Sequence, residues 1–192
     1  MKYRFNSTYI LEHPIDKYSA ASIVLDEILF PEEWEKVRDY LEEDGKDRIK
    51  QDEERINAAD ADELLRLMRQ SAASVDRHFL LHRLFSMERA VIGPIKRRVL
   101  TTMLDEYIAI STRFLAACTE DVTGWIREQY GHVRSPYMQS MLCLVLGVRG
   151  DLSQVPFLFN QVERFEREFG KTQYNQGPLL ALSELEERFG RF

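Results

Sequence analysis

Few side chains in this sequence combine the residue types and the spacing that chemistry requires. His78 and His82, in the segment HFLLH, are four residues apart and would share one face of a helix. Two histidines are too few ligands for zinc, and no glutamate stands between them as in a zinc protease. We therefore expect these histidines to face a neighbouring helix or solvent. No nucleophile–base pair, phosphate-binding glycine-rich loop or metal-ligand quartet is recognisable either, so we predict no catalytic residues, no cofactor, no metal and no enzymatic activity.

A cluster of cations is the next candidate. Lys96, Arg97 and Arg98 follow Gly93 and Pro94, and a helix that began at Pro94 would carry all three in its first turn. Cations at that end oppose the helix dipole unless they are exposed or have an anionic partner. Three interpretations stay open: binding of a phosphate or an acidic peptide, pairing with an acidic part of the same chain, or a solvated face.

Charge is distributed unevenly along the 192 residues. Residues 1–64 have a net charge of −9 and residues 65–192 a net charge of +3, which together give −6. The small positive excess argues against a nucleic-acid partner, and the acidic segment is compatible with a basic protein target.

The composition also indicates the cellular compartment of the protein. Its two cysteines, Cys118 and Cys143, are not a close pair, and the longest apolar run covers only residues 141–148. The first residues, MKYRFNSTYILEHPID, lack the apolar centre of a signal peptide. We predict a reduced, cytoplasmic protein without membrane association.

Helices account for the whole pattern. The segment YSAASIVLDEILF predicts a first helix with Ser19 as its cap, and PEEWEKVRDYLEEDG predicts a second one. Residues 46–60 are strongly polar, and the sequence leaves open whether they form a helix or a connector.

From residue 76 onward, predicted helices recur in pairs. The first helices place His78, Tyr107 and Tyr137 at matching positions. The second helices do the same for Pro94, Thr123 and Pro156. A repeat of about 30 residues is typical of stacked helical hairpins.

The clearest pair lies in LCLVLGVRGDLSQVPFLFNQV, residues 142–162. Its first half is apolar on every side, so we expect a buried helix that ends near Gly147 and Gly150. Asp151 or Ser153 would cap the next helix. One apolar stripe then follows, formed by Val155, Leu158, Val162, Phe165 and Phe169. We predict burial of Leu142, Leu144, Leu146, Leu158, Val162 and Phe165.

The stretch LGVRGDLSQVPFL resembles the helix–turn–helix of HEAT-type repeats. The match is good over residues 135–169, loose over 76–131, and does not include residues 1–65. The resemblance implies an all-α fold in which antiparallel helical hairpins stack as a short α-solenoid. Residues 1–64 would form an acidic, helical N-terminal extension, and residues 65–192 the repeat domain. Such solenoids are commonly scaffolds for protein or nucleic-acid binding.

Second helices of stacked hairpins line one surface, and their non-core positions are the candidate binding residues. We expect this surface to be mildly basic, with some aromatic content, and to hold an acidic peptide or the chain's own residues 31–64. The candidates are Arg97, Arg98, Trp125, Arg127, Tyr130, Phe157, Asn160, Arg164 and Arg167.

The favoured function is a non-catalytic protein–protein interaction module or scaffold. One alternative is a nucleic-acid-binding or DNA-glycosylase-like HEAT-type protein. The other is a small acidic inhibitor or immunity-type protein that binds a basic target.

Overall fold

Helices make up the regular structure of the chain. The computed structural model describes residues 4–33, 36, 46–71, 75–170 and 172–192, and no strand occurs in these ranges. This confirms the predicted all-α class. The helices are α1 (Ser7–Glu12), α2 (Ala20–Leu29), α3 (Lys46–Ala58), α4 (Ala61–Leu67), α5 (Arg77–Ser86), α6 (Glu88–Val99), α7 (Asp105–Ala117), α8 (Thr123–Gln129), α9 (Pro136–Arg149), α10 (Val155–Phe169) and α11 (Gln176–Phe189).

Side-chain caps fix several of the helix starts. The Ser19 Oγ accepts a hydrogen bond from the Ser22 N–H at 3.1 Å, which confirms the predicted cap of α2. Asp76 caps α5 in the same way, and Ser135 caps α9 just before its first-turn proline. Asp151 accepts from the Ser153 N–H at 2.8 Å. It therefore caps a 3₁₀ turn, Leu152–Gln154, that leads directly into α10.

The chain divides into two compact units. One contains Met1–Leu25 and Asp121–Phe192, and the other contains Asp26–Glu120. These boundaries differ from the sequence-based division at residue 64, because the N-terminal segment packs with helices from the far end of the chain. The Asp16 N–H donates to the Gln176 Oε1 at 2.7 Å, and the rings of Phe5 and Phe159 meet edge to face.

Helix α9 is the centre of the first unit. It packs on α11, and α11 packs on α10. All six residues predicted to be buried are buried: Leu142, Leu144, Leu146, Leu158, Val162 and Phe165. A helix that is apolar all round has neighbours on several sides, as the pattern predicted.

Two glycines set how closely α9 and α11 approach. A Cβ atom on Gly147 would lie 2.4 Å from the Ala181 Cα, and one on Gly177 would lie 2.1 Å from the Ser140 carbonyl oxygen. The prediction that Gly147 helps the chain to leave the helix is wrong, because α9 continues to Arg149. Gly147 instead provides room for the neighbouring backbone.

The second unit is built around α5. Helices α3 and α4 pack on α5, α4 also packs on α6, and α5 and α6 both pack on α7. Residues 46–58 are therefore a helix, which settles the choice that the sequence left open. Of the predicted helix that starts at Pro31, residues 31–33 and 36 are helical, and its other positions lie outside the described residues.

The predicted boundary between α5 and α6 is wrong. The first helix ends at Ser86, and α6 begins at Glu88 and contains Pro94 in its interior. Pro94 is thus the seventh residue of its helix, whereas Thr123 is the first residue of α8 and Pro156 the second of α10. In the described part of the chain, no helix combines the length and the apolarity that crossing a membrane requires.

Candidate functional site

A stack of three side chains joins α8 to α10. The Arg127 guanidinium lies over the Phe157 ring, 4.0 Å from its centroid. The edge of the Phe157 ring meets the Tyr130 ring at a centroid distance of 4.9 Å. Tyr130 follows α8 directly, and Phe157 lies in the first turn of α10. The structure thus brings together three residues that the sequence proposed only as a list.

Arg164 borders this stack on the buried side. Its guanidinium carbon lies 5.6 Å from the Tyr130 ring centroid and 4.6 Å from that of Phe165. Its Nη2 donates to the Gln139 Oε1 at 2.6 Å, and the Gln139 Nε2 donates to the Val133 carbonyl at 2.8 Å. Arg164 is therefore held by α9 beside the stack.

A buried thiol lies beneath the tyrosine. The Tyr130 Oη and the Cys143 Sγ are 3.3 Å apart. Burial raises the pKa of the Cys143 thiol to about 12 and raises the pKa of the Tyr130 hydroxyl as well. Both groups keep their protons at neutral pH, so the pair supplies neither a thiolate nor a base.

The remaining candidates of the first unit are more open. Asn160 and Arg167 are exposed on α10, and Trp125 is half-buried on α8. Arg167 pairs with its neighbour Glu168, with 3.5 Å between Nη2 and Oε1. Helices α8 and α10 together carry three arginines and four glutamates, so the positive charge is local to Arg127 and does not extend over the face.

Arg97 and Arg98 belong to the second unit, whereas the other seven candidates belong to the first. They lie in the last turn of α6, together with Lys96. The prediction of three cations in a first helical turn is therefore wrong. The C-terminal end of a helix favours cations, so the dipole stabilises this cluster instead of opposing it.

The histidine pair has the predicted geometry. His78 and His82 lie on α5 with their ring centroids 4.3 Å apart. No group of three or more histidine, cysteine, aspartate or glutamate side chains suited to a metal occurs in the described ranges.

Sequence reasoning missed the segment that covers α10. Phe5 and Tyr9 pack against Phe159, and the His13 Nε2 lies 3.2 Å from the Glu166 Oε2. The aromatic side chains within residues 5–9 were the sequence feature that could have indicated a buried N-terminal segment. The sequence predicted that residues 31–64 could cover the surface lined by the second helices of the hairpins. Within residues 31–64, α3 packs on α5 in the second unit. Docking of that segment on α8 and α10 stays a prediction.

Comparisons with protein-family models, with curated proteins and with solved structures give no match for this chain.

Proposed function

We propose that the chain is a non-catalytic protein-interaction module whose α8–α10 surface binds a carboxylate-bearing segment of a partner protein. The observation that carries this proposal is the exposed Arg127 guanidinium stacked on Phe157. Arginine and aromatic side chains contribute most of the binding energy in many protein interfaces.

The stack leaves the binding groups of Arg127 available. Stacking uses the face of the planar guanidinium, while its five N–H donors point outward in the plane. Arg127 forms no ion pair or hydrogen bond with any residue in the described ranges. A carboxylate could therefore accept two parallel hydrogen bonds from a cation whose position is already fixed, which reduces the entropy lost on binding.

The surroundings favour binding over chemistry. Cys143 and Tyr130 are buried and protonated, and they support the stack from below. We also propose that α9 and α10, with the turn between them, form a unit of a HEAT-like scaffold. Supporting features are the cap at Asp151 and the single apolar stripe of α10.

Peptide selection tests this proposal. A random peptide library is selected on the full chain, with the Arg127→Glu protein as the competitor in solution. We expect enriched peptides to contain aspartate or glutamate beside an apolar residue, and to lose at least about tenfold in affinity for Arg127→Glu.

Arg134→Glu is the matched control, because Arg134 is an exposed arginine of the same unit with no stacked ring among the described residues. It should bind the selected peptides like the wild type. Peptides that bind Arg127→Glu and wild type equally, or an absence of enrichment, would contradict the proposal.

A further inference from the structure

The positive charge of the chain is concentrated in one segment of the second unit. Residues 65–104 contain eight arginines and lysines but only two carboxylates, a net charge of +6. The remaining residues, 105–192, have a net charge of −3, so the value of +3 for residues 65–192 conceals this concentration. A localised cationic surface is the electrostatic signature of polyanion binding.

Six of these eight cations form no ion pair with a carboxylate of the described residues, and the four used below are among them. Arg66 pairs with Glu63, and Lys96 pairs with Glu120. No ion pair with a carboxylate of the described residues is formed by Arg69, Arg89, Arg97 or Arg98. These four side chains define what we call the arginine surface. Arg69, Arg89 and Arg97 are exposed and Arg98 is half-buried, and cations without a carboxylate partner are available to bind phosphates.

Two of the four lie along the open side of α6. Arg89 and Arg97 are both exposed and are eight residues apart, which corresponds to about 12 Å along a helix. The Arg97 Nη1 lies 3.6 Å from the position that a Cβ on Gly93 would occupy, so Arg97 extends over the bare glycine towards Arg89. Two cations at this separation reach two different phosphates.

The other two approach a buried hydroxyl. Tyr107 is 1% exposed, and its Oη has no hydrogen-bond partner; the same holds for the buried Nε of Arg98. Burial raises the pKa of Tyr107 to about 12, while the charges of Arg69 and Arg98 act to lower it, which places both arginines near the hydroxyl. A buried polar atom without a protein partner calls for a bound water or ion, and beside two arginines the ion would be an anion.

We infer that the arginine surface binds the phosphate backbone of a nucleic-acid duplex. The spacing along α6 favours a repeating polyanion over a single phosphate group. The α5 rings Phe79 and Phe85 are half-buried, and Phe85 stacks on Phe114 at 5.4 Å, so the exposed arginines favour contacts to phosphates over stacking on bases. Recognition through the backbone alone is independent of sequence.

A salt titration tests this inference directly. The full chain is titrated onto a fluorescent DNA duplex of about 20 base pairs and mixed sequence, in about 50–200 mM NaCl. Four phosphate contacts predict a slope of about −3.6 for log K against log salt, and hence a loss of roughly 150-fold in affinity over this range. The variant R69Q/R89Q/R97Q/R98Q should lose both the affinity and the slope.

Two variants make the result specific. Arg66→Gln removes a neighbouring arginine that is already paired, and should bind the duplex with an unchanged slope. Arg127→Glu, which disables the proposed protein-binding surface, should also bind the duplex normally, so the two proposals fail independently. Circular dichroism of the fourfold variant, measured beside the wild type, establishes that it is folded.

Three outcomes would overturn the inference. They are an absence of duplex binding at about 50 mM salt, an equal slope for the wild type and the folded fourfold variant, and tighter binding to a phosphoserine peptide or to phosphatidylserine vesicles than to the duplex.

Discussion

At the scale of single residues, the partners of each arginine decide whether it can bind another protein, and the number of arginines does not. Arg127, Arg164 and Arg167 are spaced along two helices as similar cations, yet their surroundings differ. Arg164 is tied to Gln139, Arg167 pairs with Glu168, and Arg127 stacks on a ring with its donors unused. Of the three, only Arg127 combines a contact to an aromatic ring with hydrogen-bond donors that no described residue uses. We therefore place the partner interaction at Arg127.

The Cys143 thiol should be inert in the folded protein. It is fully buried, and its pKa is raised to about 12, so the reactive thiolate is scarce at pH 8. We expect Ellman's reagent to modify Cys143 only on unfolding. The measurement uses Cys118→Ser as background, because a serine hydroxyl can donate to the Leu115 or the Glu120 carbonyl in place of the thiol. Rapid labelling without denaturant would show that the Tyr130–Cys143 contact opens in the native state.

Asp121 should make stability depend on acid pH. Hydrogen bonds from the Thr123 N–H and hydroxyl hold the pKa of its carboxyl below the ordinary value of 3.8. A depressed pKa in the folded state stabilises the protein above that ordinary value, and this stabilisation disappears as the pH falls through the folded-state pKa.

The comparison is between the wild type and Asp121→Asn, which keeps an oxygen for the Thr123 hydrogen bonds but carries no charge. We expect their difference in unfolding free energy to be constant above about pH 5 and to shrink below the ordinary pKa. A difference that does not change with pH would show that the Asp121 charge does not stabilise the folded state.

At the scale of elements, the contact between α9 and α11 depends on missing side chains. Gly177→Ala would place a methyl group 2.1 Å from the Ser140 carbonyl oxygen, which is backbone and cannot rotate away. We expect this substitution to lower the unfolding free energy by about 1–3 kcal/mol, the usual cost of overpacking. Denaturant melts measure the effect.

Gly124→Ala is the matched control, since nothing lies within 4 Å of its added methyl group on α8. Alanine has the higher helix propensity, so this protein should gain about 0.5–1 kcal/mol. If Gly177→Ala were as stable as Gly124→Ala, the two helices could not be as close as described.

An ion pair joins α2 to α7 inside the second unit. The Arg113 guanidinium is buried, bonds to the Glu27 carboxylate and donates from Nη1 to the Ala109 carbonyl at 2.8 Å. Glu27→Gln would remove the negative charge that faces the buried Arg113 guanidinium. We expect a loss of about 1.5–3 kcal/mol in unfolding free energy, measured against Asp26→Asn, whose carboxylate is exposed. Equal stability of the two variants would mean that the pair contributes nothing.

Helices α9 and α10 could be predicted from sequence because their signals are local. The signals are the apolar residues on all sides of α9, the cap at Asp151 and the single apolar stripe on α10. Each signal lies within a few residues of the helix feature that it determines. Pro94 led to a wrong helix start, because proline is frequent at the first position of a helix. Proline also fits inside a helix when the carbonyl group four residues before it finds another hydrogen-bond partner. The stack of Arg127 on Phe157 is a contact across 30 positions, which no local pattern encodes.

At the scale of the whole molecule, the first unit is formed by two parts of the chain that are distant in sequence, whereas the second unit is one continuous segment. The first unit joins residues near both termini, since Gln176 binds Asp16 and also donates to the Pro14 carbonyl. Hydrophobic periodicity reports which face of a helix is buried but not which segment covers it. The covering segment of α10 was therefore beyond the reach of sequence analysis.

Phe5 should anchor the N-terminal segment to its unit. Its ring is buried and contacts the rings of Tyr9, Phe159 and Phe192. Phe5→Ala should cost about 3–5 kcal/mol, the range for removing a buried phenylalanine. Leu11→Ala, at a residue 82% exposed in the same segment, should change the melting midpoint little. A small effect of Phe5→Ala would mean that the segment does not stay on α10 in solution.

The most direct test of the central claim, that the α8–α10 surface binds a partner protein, is site-specific photo-crosslinking in cells that naturally contain the protein. A benzophenone amino acid replaces Asn160, which is exposed one helical turn from Phe157, or Glu187, which is exposed on α11. We expect a discrete crosslinked protein from position 160 that is absent from position 187 and is lost when Arg127→Glu is added. Crosslinks that are the same at both positions, or that survive Arg127→Glu, would contradict it.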